Sequence, residues 1–111
     1  MSGVDPGSHE QHAEQLRARV ADTGLSSRQL RLGALARDRG GPAIPEPYEA
    51  LVDQVAGDSA RVTDAQVRAV REAAGSEKAA FEIILTAAIG AGLHRWESAA
   101  QVIVEAGNAA P

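Results

Sequence analysis

The chain contains no cysteine in 111 residues. That absence removes disulfides, thiolate metal sites and thiol redox chemistry together, and it is compatible with a cytosolic protein. Aromatic residues are almost as scarce, with Tyr48, Phe81 and Trp96 the whole set. A core must therefore be assembled from Ala, Val, Leu and Ile. Such side chains let helices approach closely but each buries little area, so association with further copies is a reasonable way to complete the core. Positive charge is in deficit, with 11 Lys and Arg against 15 Asp and Glu. That balance argues against generic nucleic-acid binding, which rests on neutralising phosphates. The longest apolar run, Ala79 to Leu93, contains Glu82 and Thr86 and is too short to cross a bilayer. No basic segment followed by an apolar one at the N-terminus resembles a signal peptide. The expectation is a cytoplasmic protein with neither nucleic acid nor membrane as partner.

What is present is helical punctuation. Residues 1–7 carry Gly3, Pro6 and Gly7 and read as a tail; residues 8–107 read as one helical domain, with a second tail at 108–111. Ser8 with Gln11, Ser26 with Gln29 and Thr63 with Gln66 are spaced as capping boxes, in which each side chain satisfies a free backbone N–H of the other. They open helices expected from His9 to Ala21, with Leu16 and Val20 inward, to about Arg37, with Leu30, Ala34 and Leu35 inward, and to Ala74, with Val67, Val70 and Ala74 inward. Prolines 42, 45 and 47 mark a loop and then the first turn of a helix ending near Val55, buried through Leu51, Val52 and Val55. Gly75 stops one helix and Ser76 caps the next. That fifth helix, about Glu77 to Ala91, is apolar nearly all round and so should be buried on every side, within the domain or an oligomer. Gly90 and Gly92 suggest close approach or a turn, after which a sixth helix is expected from His94 to Ala106. No strand pattern, internal repeat or low-complexity tract occurs. The fold class is all-α, a compact bundle of about six helices.

The order Val70-Arg71-Glu72-Ala73, then Gly75, a polar cap, a long apolar helix and Gly92-Leu93-His94-Arg95-Trp96 resembles the core of the carboxymuconolactone decarboxylase and alkylhydroperoxidase-D-like family. The resemblance spans residues 62–100. It implies an all-α fold and assembly into trimers, hexamers or larger oligomers. Peroxidases of that family work through Cys-x-x-Cys followed by His. Register places Ser59, Val62 and Gln66 at those positions, and neither this register nor one shifted by a residue supplies a thiol. Peroxidase chemistry of that type is therefore excluded, whereas the decarboxylase branch does not depend on a thiol pair. Its acid–base residues find no match here.

Two residues are candidates for acid–base catalysis. His94 carries protons near neutral pH, and it lies beside Arg95, Trp96 and Glu97; Arg95 would hold a substrate carboxylate. The plainer reading is a helix-junction histidine with solvated neighbours. Glu82, if buried, would have a raised pKa suited to a general acid or base; otherwise it belongs to an exposed stripe with Lys78 and Thr86. Trp96 and Tyr48 are candidate substrate-binding residues, Tyr48 at a pocket entrance or simply packed with its hydroxyl at the surface. His9, His12 and Glu10 have spacing that would allow a shared metal, but lie near the N-terminus and read more simply as solvated. Arg28, Arg31, Arg37 and Arg39 make one helix basic without a recognition-helix pattern. No phosphate loop, Gly-x-Ser-x-Gly elbow or His-Glu-x-x-His pair is present, so no cofactor or metal is expected.

Two function classes follow. One is a non-redox, homo-oligomeric binding or scaffold protein that docks a small molecule or a partner protein. The other is a cofactor-independent acid–base enzyme acting on a small carboxylated or carbonyl compound. The first leads, because no paired acid–base constellation is visible.

Overall fold

The apolar run that the sequence divides between two helices forms one helix. In the computed structural model of the chain, α5 runs unbroken from Glu77 to Ala109, 33 residues, or about 50 Å at 1.5 Å per residue. The expected turn at Gly90 and Gly92 does not occur. A mid-helix glycine costs only about 1 kcal/mol, and close packing around Gly90 outweighs it. A Cβ at Gly90 would lie 2.5 Å from the Leu35 carbonyl oxygen, so glycine there permits α5 to touch the backbone of a neighbour.

Four shorter helices pack against α5: α1 (Pro6–Asp22), α2 (Arg28–Ala36), α3 (Tyr48–Asp58) and α4 (Asp64–Ala74). Short 3-10 turns, Arg37–Arg39 and Ser59–Arg61, follow α2 and α3. The expected six helices are thus five α-helices, and no strand occurs among the described residues. The structure describes residues 6–22 and 24–109, the side chains of 6–10, 108 and 109 apart. Of the expected tails, 1–5 and 110–111 lie outside the described residues, while 6–7 and 108–109 are helical. Among the described residues, no helix is long and apolar enough to cross a membrane.

The core is built where the sequence places it for α2 to α4. Ala34, Leu51, Val52, Val55 and Val70 meet Ala80, Ile83 and Ala87 of α5. Leu51, Val70 and Ile83 have no exposed surface, and each contributes roughly 1.5–3 kcal/mol by burial. Thr63 and Gln66 form the capping box expected for α4, and Gly75 ends that helix in the left-handed conformation with its N–H on the Arg71 carbonyl.

Two expectations are corrected. α1 buries Ala13, Arg17 and Ala21 rather than Leu16, which stays 41% exposed. The cap of α2 is Ser27, whose hydroxyl accepts from the Leu30 N–H; Ser26 is drawn aside by a contact with α5.

Candidate functional site

That contact is Glu82. Its carboxylate accepts hydrogen bonds from the Leu25 N–H at 2.7 and 2.8 Å, the Ser26 N–H at 2.9 Å and the Ser26 hydroxyl at 3.0 Å. Burial alone would push its pKa up. The backbone donors of Ser26 and Leu25, the Ser26 hydroxyl and the nearby Arg31 charge outweigh burial and hold it below the usual carboxylate range. A general acid needs the opposite shift, and the raised pKa that burial alone would give Glu82 is not found. The stripe alternative fails as well, because Thr86 is buried. Glu82 is an ionised clamp across the α1–α2 loop.

Arg31 completes that clamp from the other side. It is only 3% exposed. Its guanidinium donates to the Val20 carbonyl at 3.1 Å, to the Ala21 carbonyl at 2.6 and 3.1 Å, and to the Ser26 carbonyl. It thereby satisfies carbonyls at the end of α1 that have no helical partner. The sequence signal for it was available, since Arg31 shares the inward face of α2 with Ala34 and Leu35.

The cluster expected after the buried helix lies in the middle of α5, not at a helix start. Arg95 donates to the Ala56 carbonyl at 2.6 Å, tying α5 to the last turn of α3. His94 is half-buried one turn before Glu97. Glu97 accepts from Arg17 of α1 at 2.5 and 3.2 Å, and Arg17 also donates to Glu14 at 2.8 Å. The Arg17 hydrogen bond is the main reason the Glu97 pKa is lowered, against a desolvation effect of opposite sign, with the charges of Arg17, Arg39 and His94 adding to it. A third pair, Arg37 with Glu49, joins the 3-10 turn after α2 to α3 at 2.5 Å. There the Arg37 hydrogen bond, opposed by desolvation and helped by the Ile44 N–H, again lowers the carboxylate pKa.

The two aromatic candidates, Tyr48 and Trp96, line different hollows. Tyr48 opens α3 and lines a cleft of about 550 Å³ with Leu30, Gly33, Ile44 and Pro45. Trp96 borders a shallow hollow of about 260 Å³ with His12, Ala13, Leu16 and Leu93. Glu82 lies at a third, apolar cleft of about 630 Å³ beside Leu25, Val67, Phe81 and Ile84. These three hollows share no lining residue. The five sequence candidates are therefore not brought together.

Among the described residues, no group of three or more His, Asp or Glu is placed to hold a metal. His12 is exposed, and the side chains of His9 and Glu10 lie outside the described residues. At the positions set by the family register, Ser59 starts a 3-10 turn, Val62 packs against the core and Gln66 is committed to the cap of α4. The 630 Å³ cleft and the exposed Phe81 were missed; the spacing of Phe81 and Leu85, one turn apart on α5, was the signal. Comparison with protein-family models, curated proteins and solved structures finds no match.

Proposed function

We propose that this chain is a non-redox, carboxymuconolactone decarboxylase-like cytoplasmic protein that acts as a homo-oligomer by binding or scaffolding, and not by acid–base catalysis. One observation carries the reading. Two of the polar candidates are already engaged in holding helices together: Glu82 on Leu25 and Ser26, and Arg95 on the carbonyl of Ala56. A catalytic base must reach a substrate proton and be oriented by a partner in the same pocket; here Glu82, Tyr48 and Trp96 border different hollows. The cleft beside Phe81 and the exposed Leu85 and Ile103 of α5 are apolar, which suits association better than proton transfer.

The test pairs native mass spectrometry with an activity screen, on the wild-type chain and on His94→Ala. The expected result is the same defined oligomer for both, with no conversion of a panel of small carboxylated and carbonyl compounds. Conversion that the wild type performs and His94→Ala abolishes would overturn the reading in favour of an enzyme.

A further inference from the structure

One face of α5 is apolar and exposed to solvent from Phe81 to Ile103. Phe81 is 62% exposed, Leu85 46%, Trp96 39% and Ile103 72%. Ala88, Gly92 and Ala99, which fall between them, are exposed too. The steps along this series are three or four residues, the spacing that keeps side chains on one helical face. The opposite face carries Ile83, Ala87 and Gly90 into the core. Beyond the globule the helix continues bare: every residue from Gln101 to Gly107 is exposed, including Val102 and Ile103.

The stripe is complementary to itself when reversed. With two copies crossing antiparallel at Gly92, residues equally far before and after that point face each other. Ala88 then meets the partner's Trp96, and Leu85 meets the partner's Ala99, a large side chain against a small one each time. Gly92 meets its own copy at the axis, where a glycine permits the closest backbone approach.

The ends match as well. Phe81 receives the partner's Ile103, next to the 630 Å³ cleft lined by Leu25, Val67 and Ile84. That cleft sets Arg71 and Lys78 against Glu77 and Glu82 and is balanced in charge, so the fit rests on its apolar wall and on the register of large against small side chains. A parallel pair would instead set Phe81 on Phe81 and Lys78 on Lys78, and would leave the cleft empty.

We propose that the exposed stripe of α5 is an isologous dimer seam, in which a second copy of this chain crosses antiparallel at Gly92 and lays its C-terminal turns into the cleft beside Phe81. The seam gives the oligomer of the proposed function its partner and geometry, and rests on that part of the reading. A contact that is its own mate under a two-fold axis closes at two copies and does not propagate.

The full chain is tested by sedimentation velocity at micromolar concentration, where twice the 11.5 kDa chain mass is expected. An added Cβ at Gly92 meets no atom within 4 Å in its own chain, so Gly92→Glu and Gly92→Lys should each keep the wild-type helix content and sediment as monomers. Mixed together, they should restore the doubled mass, because the position faces itself. Orientation is read by oxidation, since the chain has no cysteine to interfere. A mixture of Phe81→Cys and Ile103→Cys proteins should yield mainly the disulfide-linked heterodimer. A monomeric wild type overturns the seam and the oligomer together. A dimer that survives both Gly92 variants overturns the seam while leaving an oligomer with another interface. Predominant Phe81→Cys homodimers overturn the antiparallel orientation.

Discussion

Ile83 and Ile103 belong to the same helix and the same residue type, yet one has no exposed surface and the other is 72% exposed. α5 is gripped by α1, α2, α3 and α4 as far along as Glu97. The last turns are still apolar in Val102, Ile103 and Val104, with no described residue of their own chain burying them. Hydropathy tells how favourable burial of a residue would be; the path of the rest of the chain decides whether burial happens within one copy. In a molecule of 55 × 27 × 23 Å, a helix of about 50 Å outruns the core that four short helices provide.

The largest break in this comparison is expected from Ile83→Ala. Removing a fully buried isoleucine side chain costs about 3 kcal/mol by lost transfer and the cavity left behind. Ile103→Ala should change the stability of the single copy by less than about 0.5 kcal/mol. Urea denaturation of both variants at a concentration that keeps the copies apart checks the pair; equal losses would mean that the two ends of α5 are buried alike.

Two glycines, one residue apart from being neighbours, sharpen the same contrast. Gly90→Ala drives a methyl group against the Leu35 carbonyl, an overpacking expected to cost about 1–3 kcal/mol against a helix-propensity gain of about 1 kcal/mol. Gly92→Ala faces open space and should gain about 1 kcal/mol. Thermal melts in an Ile103→Glu background, where the seam is broken, should move in opposite directions. A shared sign would show that α5 does not lie on α2 through Gly90.

The smallest effect is the most specific. Glu82 has a folded pKa below its unfolded value, so its contribution is present above about pH 4.3, the ordinary glutamate value, and is lost as pH falls through the lower folded pKa. Glu97 and Glu49 carry shifts of the same sign. The wild type should therefore lose stability on acidification, and Glu82→Gln should start about 1–2 kcal/mol lower at neutral pH but fall less steeply. A parallel acid limb in the variant would show that the carboxylate is not ionised on Leu25 and Ser26.

Local signals were legible in the sequence and long-range ones were not. Thr63, Gln66 and Gly75 bracket α4 because capping needs only neighbours within a turn. Leu51, Val52 and Val55 announce the inner face of α3 by spacing alone. Gly90 and Gly92 misled as a turn, because a glycine within a helix costs only about 1 kcal/mol and the packing of Gly90 on Leu35 carries α5 through. The fate of Glu82 was hidden because its donors, Leu25 and Ser26, are more than fifty residues away in the chain. His94, Arg95 and Trp96 looked like a constellation because they are consecutive, yet consecutive residues on a helix point in different directions.

Gly24 sits inside the Arg31–Glu82 clamp, where a Cβ would lie 2.9 Å from an Arg31 guanidinium nitrogen and 2.9 Å from a Glu82 carboxylate oxygen. Both groups are pinned by their other hydrogen bonds and have little room to retreat. In a saturation-mutagenesis survey scored on protein abundance, this bare position on an exposed loop would tolerate almost nothing. Its profile would imitate that of an active-site residue, while reporting only the shape of an ionic latch that joins three helices.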